Sequence, residues 1–258
     1  MNKIIVSLIT LLLFISCSSN EDDTLQSKKI TINFVHKWDD TVVTKADFNT
    51  EKFETRNEDK VSIERYRYVL SNIKLVDANN NETNLSDYLL IDLGEEQNLT
   101  FETDKTVLNG TYSLDFTFGF TDEDNKDGEY ADLNSANFNV PAMLGGGYHY
   151  MQFDGKYSST TTTTPSGFNY HAIKAANIID PANPVYQDTS IAVKLTDIEV
   201  TNSDIIINVN VDINQWFEDP NTWDLNTLNQ MLMPNFDAQI LMNANGATVF
   251  SLSSDSDS

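Results

Sequence analysis

The chain has 258 residues, with 39 acidic and 16 basic side chains and a formal net charge of −23. A surface of this charge repels nucleic acid, because binding to phosphates requires clustered Lys and Arg side chains. The single cysteine excludes a disulfide framework within the chain.

The beginning of the chain predicts a secretion signal. Lys3 precedes an apolar run over residues 4–15, which is shorter than the roughly 20 residues that a membrane-spanning helix needs. Ser16 is a small residue of the kind found at a signal-peptide cleavage site. Cys17 follows it, as in bacterial lipoprotein signals, so we expect a signal peptide over 1–16 and a lipid on Cys17. The alternative is a cleaved signal with an incidental cysteine.

The segment 17–28 is polar and acidic, and we expect it to be a disordered tether between the lipid and a folded domain. Its acidic residues 21–23 resemble the export signal that carries Bacteroidetes lipoproteins to the cell surface. We therefore expect the protein at the outer membrane, on the periplasmic face or at the cell surface. The tail 253–258 is also polar and predicted to be disordered. Because lipid occupies the only thiol, no thiolate ligand or cysteine nucleophile remains.

Alternating apolar and polar residues, the pattern of a β-strand, dominate residues 29–252. The clearest examples lie at 30–38, 112–120 and 205–213. Further predicted strands are 63–76, 88–93, 99–102, 148–156, 168–175, 191–200, 238–242 and 248–252. Asn- and Gly-rich turns separate them. The pattern predicts one all-β domain, an antiparallel β-sandwich.

One short helix is predicted near the C-terminus of this domain. Asp224 is a suitable N-cap, and Pro234 would end the helix. The apolar residues on one face of this helix would be Leu225, Leu228, Met231 and Leu232.

No enzyme signature is present, such as a nucleophile elbow or a zinc-protease motif, so we predict a protein without catalytic activity. The run 145–147 is three glycines without the Lys of a phosphate-binding loop, and it indicates a flexible loop or a close backbone approach. A hydrolase that uses Asp122 and Asp124 as general acid and base is a distant third hypothesis.

Three histidines, His36, His149 and His171, lie at or beside apolar positions of predicted strands. A buried imidazole needs a partner, which is usually a backbone carbonyl and otherwise a metal ion. Imidazole and thioether ligands suit copper, and a thioether favours Cu(I). The methionines that offer sulfur are Met143, Met151, Met231 and Met233. We take Met151, on the same predicted strand face as His149, as the candidate sulfur ligand.

The acidic loop 122–129 is a weaker candidate site. Glu123, Asn125 and Asp127 repeat part of the spacing of a calcium-binding loop. Asn134 stands where the bidentate glutamate of such a loop is required. A solvated acidic loop is therefore preferred over a calcium site.

Several segments in order resemble the MbnP-like copper-binding family, which is related to the MopE/CorA proteins of methane-oxidising bacteria. The most specific are the Ser-Asn-Ile-Lys-Leu run at 71–75 and the Tyr-His pair that ends at His171. The other segments that carry the likeness are 30–36, 61–70, 88–92, 118–120, 132–134, 147–148, 153–155 and 168–170.

The resemblance implies a β-rich domain that binds copper outside the cytoplasm, in some cases beside a dihaem peroxidase-like partner that oxidises a tryptophan to kynurenine. His171 lies on the family motif, His149 is a local candidate and His36 a possible third ligand. The chain departs from the family after Met143, where Leu144 and three glycines replace a tryptophan-containing run. For this chain the resemblance therefore does not imply kynurenine formation or high-affinity copper capture by that route. The alternative function is a metal-free binding or adhesion lipoprotein at the cell surface.

Overall fold

The computed structural model describes residues 26–253. The predicted signal peptide 1–16, Cys17 and the tail residues 254–258 lie outside the described residues. Within the described part of the chain, no helix is long and apolar enough to cross a lipid bilayer.

Fourteen strands, two α-helices and four short 3-10 helices make up the regular structure of the described residues. The strands are β1 Gln26–Trp38, β2 Thr41–Val42, β3 Phe53–Glu54, β4 Lys60–Asp77, β5 Glu82–Asp92, β6 Thr100–Val107, β7 Gly110–Phe118, β8 Met151–Ser158, β9 Ser166–Ala172, β10 Ala175–Asn177, β11 Val185–Gln187, β12 Ile191–Val200, β13 Ile205–Asp212 and β14 Phe250–Leu252. The helices are α1 Ala131–Ser135 and α2 Phe236–Asn245.

Two sheets pack face to face. One has the order β14-β13-β1-β2, with β6 also paired to β1. The other has the order β12-β7-β4-β8-β9, with β3 and β5 paired to β4. A third, smaller sheet consists of β10 paired with β11. The strand pairs are antiparallel except β1 with β13, which run parallel. The predicted all-β sandwich with a short helix near its C-terminus is confirmed.

The core lies between the sheets and is rich in aromatic rings. Alternate residues of β1, from Ile30 to Trp38, turn inward and are buried, as period-two alternation requires. Tyr66 of β4 meets Phe153 of β8 edge to face, with ring centroids 5.1 Å apart. Such contacts add about 0.5–1.5 kcal/mol per pair to the burial of apolar area. The aromatic layer supports β8, the strand that begins two residues after His149.

The first strand begins earlier than predicted. Gln26 pairs with Val107 of β6, so the last residues of the predicted tether belong to a sheet. Lys28 is buried, and its Nζ donates a hydrogen bond of 2.7 Å to the Asn109 side chain. The ordered domain therefore starts before residue 29.

The predicted position of the C-terminal helix is wrong. After Asp224 the chain makes isolated hydrogen-bonded turns instead of a helix, the first from the Leu228 N–H to the Asp224 carbonyl at 2.9 Å. The helix α2 begins beyond Pro234, which lacks an N–H and does not interrupt a helix that starts after it. Asn235 caps α2 by accepting a hydrogen bond from the Ala238 N–H at 3.1 Å. Residues 238–242, predicted as a strand, are part of this helix.

Candidate metal centre

His149 and His171 lie next to each other at the outer side of the sheet that contains β8 and β9. Their ring centroids are 5.3 Å apart and the rings are nearly perpendicular. His171 is on β9, directly opposite Gln152 of β8. His149 precedes β8, and its N–H donates to the Phe138 carbonyl at 2.8 Å. The structure therefore brings together two of the three histidines selected from the sequence.

The ring of His149 is fixed in one tautomer by its neighbours. Nδ1 lies 2.8 Å from the Phe138 carbonyl oxygen, which can only accept, so Nδ1 carries the proton. Burial lowers the pKa of His149 to about 4, against the opposing effect of this hydrogen bond and with small contributions from His171 and Arg67. At neutral pH the ring is uncharged, and Nε2 presents a lone pair.

That lone pair faces a thioether. Nε2 of His149 is 3.1 Å from Sδ of Met233, and neither atom carries a hydrogen in this tautomer. Two acceptors at this distance gain nothing from each other, whereas a cation with ligand distances of about 2.0–2.3 Å can contact both. His149 Nε2 and Met233 Sδ are therefore already placed so that both could bind one soft metal ion.

His171 is oriented by a carboxylate. Its Nε2 lies 2.7 Å from Oδ1 of Asp154, and Asp154 also accepts from Asn169 at 2.7 Å and pairs with Arg65 at 3.2 Å. Burial favours the neutral acid, but the hydrogen bonds from His171 and Asn169 and the charges nearby outweigh it and lower the pKa of Asp154. The carboxylate accepts a hydrogen bond from Nε2 of His171 and so fixes the orientation of the ring; in the neutral tautomer that this contact selects, Nδ1 is the nitrogen with the lone pair.

A cavity of about 520 Å³ opens beside the two histidines. Its lining is largely apolar and includes His171, Leu144, Met143, Met231 and Met233. Underneath, Met233 packs against a small separate cluster of buried apolar residues. The cavity therefore offers three thioethers and one imidazole in a largely apolar lining that is open to solvent at Met143 and Met231.

His36 is placed elsewhere. It is 2 % exposed in the core between the sheets, where its ring contacts Tyr66 and Tyr68. Nε2 is 3.1 Å from the Tyr68 hydroxyl, and burial lowers the pKa of His36 to about 3. Its partners are core side chains, so the structure does not bring His36 to the pair formed by His149 and His171.

Met151 also lies away from the pair. It is fully buried in the main core and pairs with Ala172 across β8 and β9. Since Gln152 is opposite His171, the neighbouring Met151 points to the other face of the sheet. The sulfur that approaches the histidines belongs to Met233, which lies 84 positions from His149 in sequence.

The acidic loop 122–129 supports the segment before His149. The Asn125 side chain accepts a hydrogen bond from the Tyr148 N–H at 2.8 Å, and Asp122 pairs with Lys174 at 3.0 Å. Across residues 26–253, no three His, Cys, Asp or Glu side chains are grouped so that they could hold a metal ion. The donor set at His149 therefore depends on sulfur as its third member.

The glycine run leaves no room for a side chain beside Asn125. Gly147 has a φ of +73°, and a Cβ there would lie 2.4 Å from Oδ1 of Asn125. Gly145 and Gly146 also have positive φ, which β-carbon-bearing residues avoid. The backbone at 145–147, where the resemblance led us to expect a tryptophan, therefore adopts a conformation that favours glycine.

These features define a β-sandwich protein with a compact histidine–methionine donor set at one sheet face. The chain belongs to the MbnP family, whose model matches residues 27–234. A solved structure, MbnP from Methylosinus trichosporium, is similar with a TM-score of 0.52 and 13 % sequence identity, covering 90 % of this chain and all of that chain. No curated protein matches the chain.

Proposed function

We propose that the protein is an extracytoplasmic copper-binding lipoprotein that holds Cu(I) with His149, His171 and Met233. The observation that carries the proposal is the distance of 3.1 Å between His149 Nε2 and Met233 Sδ. Both atoms can be metal ligands, and no hydrogen lies between them. Membership of the MbnP family is consistent with it, because the sequence resemblance to this family implies copper.

The chemistry of the donors favours copper over harder cations. Thioether sulfur is a soft ligand that selects Cu(I), and neutral imidazole is compatible with it. The nearby carboxylate of Asp154 is engaged by His171, Asn169 and Arg65 and is therefore not free to act as a hard oxygen ligand. The Met233 thioether and the His149 imidazole are neutral donors at neutral pH, which suits a monovalent ion in a weakly polar site.

The remaining parts of the proposal come from the sequence. Cys17 would attach the protein to the outer membrane, and no catalytic step is assigned to the domain. A dihaem peroxidase-like partner remains compatible with the family resemblance, but glycines occupy residues 145–147, so the oxidation of a tryptophan there is not part of the proposal.

Replacing both His149 and His171 with alanine is expected to weaken Cu(I) binding by at least about a hundredfold, since one or more ligands and their orienting contacts are lost together. Titration against a chromogenic Cu(I) chelator measures the change. The wild-type protein should bind one tight equivalent. Equal binding by the wild type and the double variant would show that the site is wrong.

Two isosteric variants are the matched controls for the sulfur ligand. Met233→Leu should lower the affinity at least tenfold, whereas Met151→Leu should leave it unchanged, because Met151 faces the opposite side of the sheet. Both replacements conserve volume and are tolerated well in packed sites. The reverse order of effects would favour Met151 as the ligand.

Lipid attachment is tested by Cys17→Ser in the full chain. The wild type should sediment with membranes and incorporate a labelled fatty acid, while the variant should lose the label and leave the membrane fraction. A variant that keeps the label would mean that Cys17 is incidental.

The alternative function, a metal-free surface-binding module, is favoured by the apolar side chains at the cavity mouth, where Met143 and Met231 are exposed. It predicts protein without copper after purification from copper-supplemented cells. Elemental analysis of the purified protein distinguishes the two functions.

A further inference from the structure

Two methionines project into solvent at the mouth of the cavity. Met143 is 71 % exposed and Met231 is 78 % exposed, whereas Met151 and Met242 are buried. An exposed thioether buries little apolar area, so packing does not account for its position. Both side chains line the same cavity as Met233 and His171.

Each exposed methionine is held by a buried leucine that follows it in the chain. Leu144 is 6 % exposed and Leu232 is 2 % exposed, so the two leucines anchor their segments while the methionines face outward. Met143 lies in a 3-10 turn closed by the hydrogen bond from the Gly145 N–H to the Ala142 carbonyl at 3.0 Å. The arrangement is therefore fixed by packing and hydrogen bonding.

Met231 is held in place at an energetic cost. Its φ is +57°, in the left-handed region that residues with a β-carbon seldom adopt. Strained backbone persists only where the surroundings enforce it, and it is concentrated at functional sites. Here the result is a second thioether directed to the cavity that Met143 and Met233 share.

We propose that Met143 and Met231 form an outer, low-affinity site for a soft monovalent cation, Cu(I), and pass it to Met233 and the two histidines. The inference rests on the proposed copper function for its inner site, but the outer site has its own evidence. Two neutral thioethers bind Cu(I) weakly and exchange it fast, as an entry site requires.

The transfer is an exchange of ligands with no redox change. A bond from sulfur of Met143 or Met231 to the ion breaks as a bond from Met233 or an imidazole nitrogen forms. No proton is released, because thioethers carry none and the Phe138 carbonyl keeps the His149 proton on Nδ1, away from the accepting Nε2. The net charge of −23 attracts cations to the protein, and the sulfur atoms then select a soft one.

The test follows the methionine methyl groups by NMR during titration with Ag(I), a soft monovalent ion that does not change oxidation state. The protein is the full chain with Cys17→Ser, which removes the only thiol, and with 13C-labelled methionine methyls. We expect the Met143 and Met231 signals to shift in fast exchange. The buried Met151 and Met242 serve as internal controls that should not shift.

Two variants separate the outer site from the inner one. In Met233→Leu, the Met143 and Met231 signals should still shift, since the outer site does not use Met233. In Met143→Leu/Met231→Leu, the Met233 signal should still shift at one equivalent, but stopped-flow loading should be at least fivefold slower. Zn²⁺, a harder ion, should move neither outer signal.

Unmoved Met143 and Met231 signals would overturn the outer site, and equally fast loading of the Met143→Leu/Met231→Leu variant would overturn its role in entry. Either result with a normal Met233 shift leaves the proposed copper function standing. Shifts at Met143 and Met231 without one at Met233 would instead support the outer site and contradict the inner one.

Discussion

Replacement of Gly155 with alanine is expected to destabilise the protein by at least about 3 kcal/mol, a large effect for one methyl group. Gly155 lies in β8 between Ile63 of β4 and Phe168 of β9. A Cβ there would lie 2.1 Å from the Ser62 carbonyl oxygen and 2.7 Å from the Phe168 ring. A backbone oxygen cannot swing away as a flexible side chain can, so the strands must separate.

The position of Gly155 explains why the contact is so close. The register of β4 and β8 shifts between Ile63 and Arg65, which is the signature of a β-bulge. A bulge brings one backbone nearer to its partner, and glycine in the partner strand accommodates it. Asp154, the preceding residue, orients His171, so Gly155→Ala should weaken the proposed copper binding as well as folding.

Gly167→Ala is the matched control, because Gly167 lies on the neighbouring β9. A Cβ there would meet its nearest atoms at 3.8–3.9 Å, an ordinary contact. Urea denaturation should show a change of less than about 1 kcal/mol for Gly167→Ala. Similar small effects for both variants would mean that β4 and β8 are farther apart than the structure shows.

The fold was largely accessible from the sequence because strand alternation is a local signal. β1 and β13 each show a buried residue at every second position, and both lie where the pattern predicts. The helix failed for a physical reason. Leu225, Leu228 and Leu232 have helical spacing, but in the structure they lie in an irregular loop, where Leu225 and Leu232 are buried and Leu228 is partly buried. The true helix follows Pro234, which was interpreted as a stop signal.

The candidate site was only partly accessible. The family resemblance directed attention to His149 and His171, but the contact to Met233 joins segments 84 residues apart and has no local signal. Met151 was chosen because strand alternation places it on the same face as His149. The alternation does not extend from Met151 back to His149, because the two residues belong to different hydrogen-bonded segments. The His149 N–H bonds to the Phe138 carbonyl, whereas β8 starts at Met151 and pairs with β9.

The role of His36 could not be decided from the sequence. A histidine that alternates in phase with buried residues is compatible with a metal ligand and equally with a side chain of the core. In the structure it is a core side chain, and this has a strong consequence for pH. Metal-free protein is expected to lose roughly 2 kcal/mol of stability from His36 alone between pH 7.5 and pH 5. The pKa of His36 is about 3 in the folded protein and 6.5 in a model peptide.

The direction follows from where the proton binds. Below pH 6.5 the unfolded chain protonates the ring, while the folded protein excludes the proton until about pH 3. Stability is therefore complete above pH 6.5 and falls by about 1.4 kcal/mol per pH unit as the pH decreases towards 3. His149, with a folded pKa of about 4, adds a loss of the same sign over most of this range.

The measurement compares the slope of unfolding free energy against pH in variants, so that carboxylates common to all of them cancel. His36→Gln keeps a hydrogen-bonding group near the Tyr68 hydroxyl but cannot titrate, and it should reduce the slope by about 1.4 kcal/mol per pH unit. Tyr68→Phe removes the hydroxyl and leaves the imidazole buried, so its slope should match the wild type despite lower stability. A His36→Gln slope equal to that of the wild type would mean that His36 is accessible to protons in the folded state. In that case a metal ion could also reach His36, since a proton and a metal ion bind the same lone pair of the imidazole.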